Sequence, residues 1–127
     1  MRAFLLMTKA LADETRLRML LAMRQEELCI CQLIELMKLA PSTVSRHLDL
    51  LYKAGLIEKR KCGKWIYCRL AKSKASSAVK TALKWVFAEI GDAEDVQRDI
   101  TRLAKIKKIS LEDLCTPRKQ KRIAPQK

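Results

Sequence analysis

Aromatic residues are scarce in this chain: two Trp, two Tyr and two Phe, 5% of 127 residues. A core with so few rings must be built from Leu, Ile, Val, Met and Ala, and hydrophobic residues reach 49%. Gly and Pro number three each, too few for a turn-rich all-β chain, so a largely helical protein is expected. No apolar run approaches the roughly 18 residues that span a bilayer. Met1–Met7 has one charge, a short apolar stretch and no cleavage site, so it does not read as a secretory signal. Acidic residues are few, 14 against 27 Lys and Arg, for a net charge of +13. Such an excess repels itself unless a polyanion neutralises it; nucleic acid is the first candidate and an anionic membrane surface the second. Five cysteines are an odd number in a chain without an export signal. Reduced thiols in the cytoplasm are therefore expected, rather than a disulfide framework.

Apolar spacing along the chain predicts helices over residues 2–11, 14–24, 29–38, 41–53 and 76–90. Asp13 caps the second and Pro41 opens the fourth, where a missing N–H costs nothing. Gly55 stands where a left-handed cap belongs. The period then shortens to two, which predicts strands over 56–61 and 64–70 with a tight turn at Cys62-Gly63. A more polar helix is expected over 92–109, and the acid-free tail from Thr116 to Lys127 reads as a disordered basic arm. The expected fold class is mainly α, a winged helix-turn-helix with a two-stranded β wing that dimerises through terminal helices. Residues 1–91 form its DNA-binding and dimerisation domain, and residues 92–127 a helical extension and tail. The stripe Val79, Leu83, Val86 and Phe87, with Phe4 and Leu5, is larger than one small domain needs, which predicts a homodimer.

Charge location agrees. Residues 41–74 hold nine basic residues against two acidic ones, net +7, the distribution that gives a DNA-binding unit its phosphate affinity. The polar face of the fourth helix carries Ser42, Thr43, Ser45, Arg46 and His47, groups able to reach base edges and phosphates from the major groove. Lys64 in the hairpin suits a phosphate contact. A lone histidine is more often a hydrogen-bonding residue than a metal ligand, so His47 is read as DNA-facing or as a local helix contact. A βαβ pattern, which a thiol oxidoreductase would show, is absent, so no enzymatic role is expected.

Lys9–Leu20, Ser42–Leu48 with Ala54–Ile57, and Gly63–Tyr67 resemble, in order, the opening, recognition-helix and wing motifs of the arsenic-repressor (ArsR/SmtB) family. The resemblance covers about residues 4–91. It implies a homodimer paired through the first and fifth helices, bound to double-stranded operator DNA without a cofactor, with no membrane partner. It also implies release by a metal or metalloid. Ala40 departs from the pattern, since a polar cap is expected there.

Cys29 and Cys31 at a helix N-terminus are expected to have depressed pKa values, because the helix dipole favours the thiolate. Thiolates prefer soft ions. Residues two apart lie about 200° apart around a regular helix, so both sulfurs reach one ion only if the first turn is loose or distorts, which would disturb the recognition helix behind it. The pair resembles the family's arsenite site, which implies arsenite or antimonite as inducer. The family's usual third cysteine falls at Ile34, and Cys115, a small cellular thiol or no third ligand remain the alternatives. The family's zinc site on the fifth helix is excluded, because residues 76–90 contain no His. Cys62 reads as a bystander and Cys68 as core. The competing readings of Cys29 and Cys31 are two small packing residues or the oxidisable pair of a redox or other ligand sensor.

Overall fold

The computed structural model describes residues 1–72 and 74–115. The element order is α1 (Arg2–Leu11), α2 (Glu14–Ala22), β1 (Leu28–Cys29), α3 (Ile30–Met37), α4 (Pro41–Lys53), β2 (Ile57–Cys62), β3 (Trp65–Leu70), α5 (Ser77–Ile90), α6 (Glu94–Ile106) and α7 (Leu111–Leu114). Helices dominate, and the winged helix-turn-helix is formed by α3, α4 and the β2–β3 hairpin. No described helix is long and apolar enough to cross a membrane.

Local chemistry explains most boundaries. The Asp13 carboxylate accepts from the Arg16 backbone N–H and starts α2, and Ser76 does the same for α5 through Val79. Ala40 offers no side-chain cap to α4, which begins instead on Pro41; a missing cap costs about 1 kcal/mol, and here Val44, Leu48 and Leu51, all fully buried, hold the helix in place. Gly55 takes φ +79° directly after α4, a left-handed turn that an L side chain resists.

The sheet has three strands, not two. β3 lies in the middle, antiparallel to β2 on one side and to β1 on the other, with Cys29 opposite Tyr67. Two residues give no periodicity, so β1 left no pattern to read in the sequence. The hairpin turn falls at Gly63-Lys64, one residue later than expected, because Cys62 still pairs with Trp65 and Gly63 takes φ +62°. Lys64 thereby becomes the wing tip.

After Gly91 the expected polar helix forms as α6, shorter at both ends than residues 92–109. α6 is amphipathic and packs on α2 and α3, placing Val96, Leu103 and Ile106 in the same core as Leu20, Leu33 and Leu36. Asp99, only 5% exposed, accepts two hydrogen bonds of 2.8 Å from the Arg18 guanidinium on α2. A bidentate charged pair of this kind fixes register as well as adding energy. The pairing raises the Arg18 pKa further, chiefly through its bond to Asp99. α6 delivers the chain to α7, which packs against α3. The expected disordered arm, Thr116–Lys127, lies outside the described residues.

The apolar stripe on α5 needs a correction. Val79, Leu83 and Val86 are buried within the chain itself, so they leave no surplus for a partner. Phe87 is half-buried, and the large apolar side chains that stay open include Phe4 and Leu5 on α1, 59% and 55% exposed, Trp85 on α5, 63% exposed, Tyr52 on α4, Ile66 on β3 and Ile100 on α6.

Candidate nucleic-acid interface and thiol cluster

Burial of Val44, Leu48 and Leu51 turns the opposite face of α4 outward. Ser42, Ser45 and Arg46 are exposed there, and Thr43 and His47 are half-buried. His47 is held by its neighbours: its Nδ1 lies 3.0 Å from the Arg16 guanidinium and 4.0 Å from the Asp13 carboxylate. Arginine only donates, so Nδ1 accepts and the ring proton sits on Nε2. Arg16 also donates to the carbonyls of Ala10, at 2.8 Å, and Lys9, at 3.0 Å. These carbonyls belong to the last turn of α1, where the Ala12 N–H also reaches the Lys9 carbonyl, so one buried guanidinium ties α1, α2 and α4 together.

The wing carries its cations in a partly paired state. Arg60 binds Glu27 and stacks on Tyr67, with its guanidinium carbon 4.8 Å from the ring centre. Arg69 binds Glu58 at 2.9 Å, and Lys59 lies 5.0 Å from the Tyr52 ring. These arginines hold the carboxyls of Glu27 and Glu58 below the usual range, mainly by direct hydrogen bonds. Lys64 at the wing tip binds Glu112 of α7 at 3.1 Å. Among the described residues, Arg46 and Lys61 make no ion pair.

Cys29, Cys31 and Cys115 come together where β1, α3 and α7 meet: their Sγ atoms all lie within 4.8 Å of one another. Cys29 is the last residue of β1 and the N-cap of α3, with extended φ −72° and ψ 148°. The helical angle between residues two apart therefore does not apply, and no distortion of α3 is required to bring the two sulfurs together. The Gln32 side-chain carbonyl accepts from the Cys29 backbone N–H at 2.8 Å, fixing this bend.

Two expectations about these thiols are overturned. Cys31 and Cys115 are joined as a disulfide, while Cys29, Cys62 and Cys68 are free. The Cys29 thiol has a raised pKa, not a depressed one: burial dominates, partly offset by the backbone N–H groups of Cys31, Ile30 and Ile66. Desolvation outweighs the helix terminus because Cys29 is fully enclosed. Cys68 is buried opposite Leu28 and Lys59, and burial pushes its thiol up to about 11.

Sequence reasoning missed Arg16, Gln32, Tyr67 and Glu112. Arg16 carried a signal, a lone cation on the apolar face of α2. Tyr67 and Glu112 carried none, since the first matters through strand pairing and the second through the docking of a four-residue helix.

A family profile described as "Bacterial regulatory protein, arsR family" matches residues 13–59. The chain is 48% identical over 63 residues to the arsenic resistance transcriptional regulator ArsR1 of Pseudomonas putida, a match over 49% of each chain. It spans about half the length of the curated relatives matched at 42–48% identity. It is 32% identical over 87 residues to the arsenical resistance operon repressor of Bacillus subtilis, covering 68% of this chain and 83% of that one. Among solved structures, the AntR antimony-specific transcriptional repressor superposes with a TM-score of 0.54 at 29% identity, over 72% of this chain and 79% of that one. With three of these motifs, the winged fold and this coverage in agreement, the chain belongs to the arsR family of bacterial regulatory proteins.

Proposed function

We propose that this chain is a cytoplasmic transcriptional repressor that binds operator DNA as a homodimer and leaves it when arsenite or antimonite binds Cys29, Cys31 and Cys115. The observation that carries this reading is the approach of the three sulfurs to within 4.8 Å. Arsenite is a neutral trihydroxide. Three cysteine thiols replace its three hydroxyls, forming three As–S bonds and releasing three waters, with no change of oxidation state. In a zinc-type thiolate site, bonds of about 2.3 Å leave sulfurs less than about 4 Å apart, so side-chain rotation closes the remaining gap once Cys31 and Cys115 are reduced. The extension after residue 91 supplies the third thiol.

On DNA, Ser42, Thr43, Ser45 and Arg46 of α4 face base edges, His47 anchors the helix through Arg16, and Lys64 holds a phosphate. The exposed Phe4, Leu5 and Trp85 are the surface that a second copy covers. The site is coupled to the wing through the backbone, because Cys29 pairs with Tyr67 of β3, and to α4 through the packing of α3 against it. An ion that prefers one arrangement of this corner shifts the balance between DNA-competent and incompetent forms; equal binding to both would shift nothing.

DNA affinity measured under reducing conditions, with and without arsenite, tests the reading. A fall with arsenite in the parent, lost in Cys29→Ser and Cys31→Ser, is the expected result. An unchanged affinity, or an equal fall in both variants, overturns it. The Cys31–Cys115 disulfide favours a second reading, in which oxidation of the same sulfurs is the signal. Release by a small disulfide reagent, with no response to arsenite in the reduced protein, would select that reading.

A further inference from the structure

A cleft of about 390 Å³ opens between the end of α2, the end of β3 and one face of α5. Small-ligand sites fall between roughly 300 and 1,000 Å³. The floor is apolar: Met23 and Leu83 are buried, and Leu70 and Phe87 are half-buried. The rim is basic. Arg24, Lys72, Lys80 and Lys84 line it, all exposed, and among the described residues none of the four makes an ion pair. A fifth cation of the rim, Arg69, is already held by Glu58. The two carboxylates of the rim are also engaged, Glu26 by Lys107 and Glu27 by Arg60. Lys72 adds only a charge–charge attraction to Glu27. Lys80 and Lys84 stand four residues apart on α5, where like charges repel, and an anion placed between them relieves that repulsion. The Arg24 guanidinium carbon lies 4.8 Å from the Phe87 ring centre. A guanidinium stacks on aromatic faces, so a flat ring meets both an apolar floor and a cationic plane here. Trp85 lies about 160° around α5 from both Leu83 and Phe87, so a second copy seated on Trp85 leaves this cleft open.

We propose that this cleft is a second ligand site, separate from the thiol cluster, that takes a small aromatic anion: a flat ring system on Leu83 and Phe87 with one carboxylate or sulfonate head among Arg24, Lys72, Lys80 and Lys84. No cysteine is among the described residues that line it, so its occupancy does not depend on the metalloid reading. The ring supplies the apolar burial, and the head supplies the charge that the rim lacks. A DNA backbone is a poorer match, because phosphates gain nothing from a recessed apolar floor.

The test uses the full chain, reduced with dithiothreitol, and the fluorescent dye anilinonaphthalene sulfonate, which joins an aromatic body to one anionic head. N-phenylnaphthylamine has the rings without the head, and sodium sulfate is an anion without the rings. The parent should bind the sulfonate dye about three- to tenfold more tightly than the neutral one, the scale of two exposed charge contacts. The double substitution Lys80→Gln with Lys84→Gln should remove that preference and leave binding of the neutral dye unchanged. These lysines are exposed, so the fold is not at stake. Lys105→Gln with Lys108→Gln removes the same charge from α6, outside the cleft, and should bind both dyes as the parent does. Sulfate at matched ionic strength should displace little of the dye. Equal affinity for the two dyes in the parent overturns the proposal, as does displacement by sulfate or an equal loss in the α6 variant. DNA is the remaining occupant to exclude. If Lys80→Gln with Lys84→Gln lowers the log–log salt slope of duplex binding by about 1.8, two phosphate contacts, the rim serves DNA and the proposal falls; an unchanged slope is expected.

Discussion

The α4 and wing side of the molecule, proposed above to be its DNA-facing side, and the thiol corner are built on opposite principles. α4 and the β2–β3 wing present exposed, mostly charged side chains on elements whose buried faces repeat at regular spacing. The thiol corner buries Cys29 and half-buries Cys31 and Cys115, and it is assembled from the junction of a two-residue strand with a helix N-terminus and from a four-residue helix far away in sequence. A surface meant for a polyanion needs charge and exposure, both of which local pattern supplies. A site that holds three sulfurs in one place needs long-range contacts, and those come from packing.

The largest effect separating the two sides is expected from the bond between Cys31 and Cys115, which are 84 residues apart. Closing a loop of that length restricts the unfolded chain by about 4–5 kcal/mol in the chain-entropy account. Oxidised protein should therefore unfold at higher urea than reduced protein, and Cys115→Ser should behave like the reduced parent under both conditions. Equal midpoints would show that the thiol corner contributes nothing to the stability of the DNA-facing side.

Next in size is the coupling itself. A hundredfold fall in operator affinity with arsenite corresponds to about 2.7 kcal/mol. The double substitution Cys29→Ser with Cys31→Ser should abolish that fall and keep DNA binding, as measured by fluorescence anisotropy. Cys62→Ser should respond like the parent, because Cys62 lies outside the cluster.

On the DNA-facing side alone, Arg46→Ala should weaken specific binding by roughly 1–3 kcal/mol and relax base preference. Lys64→Ala should weaken every sequence alike and lower the salt slope by about one. Binding titrations on matched and scrambled duplexes separate the two; identical losses on both duplexes for Arg46→Ala would assign Arg46 to phosphate.

The smallest effect concerns Cys68, on the face of β3 turned to the core. Its thiol is neutral when protonated, and its folded pKa of about 11 lies above the unfolded value. Its contribution is therefore complete below about pH 9 and lost as pH rises toward 11. The loss is about 1 kcal/mol at pH 10. Cys68→Val should flatten the stability profile over that window; an unchanged slope would assign the alkaline loss to other groups.

Legibility in the sequence follows the same division. Val44, Leu48 and Leu51 repeat at helical spacing, so α4 was readable to the residue, and with it the exposed Ser42, Ser45 and Arg46. The wing strands were readable by their period of two, although the turn shifted by one residue because Cys62 could still pair. β1 was not readable, because its strand character comes from pairing with β3. The docking of α6 was obscured by Asp99, which looks like a surface residue until Arg18 is seen opposite it. The position of Cys115 depends on that docking, so its approach to Cys31 had no local signature. The Cys29 pKa was misjudged for a related reason: the helix terminus was visible in the sequence, but the burial that outweighs it was not.

Among the described residues, β2 is an outer strand of the sheet, with β3 on one side and no strand on the other. An open strand edge is a template on which another chain can add a strand, and proteins often guard such edges with charge. Here the outer strand carries Lys59, Arg60 and Lys61 in succession. Two copies approaching edge to edge would bring these cations together before any backbone hydrogen bond could form. The charge suited to a polyanion thus also guards against aggregation, and it keeps that role whenever the protein is off DNA.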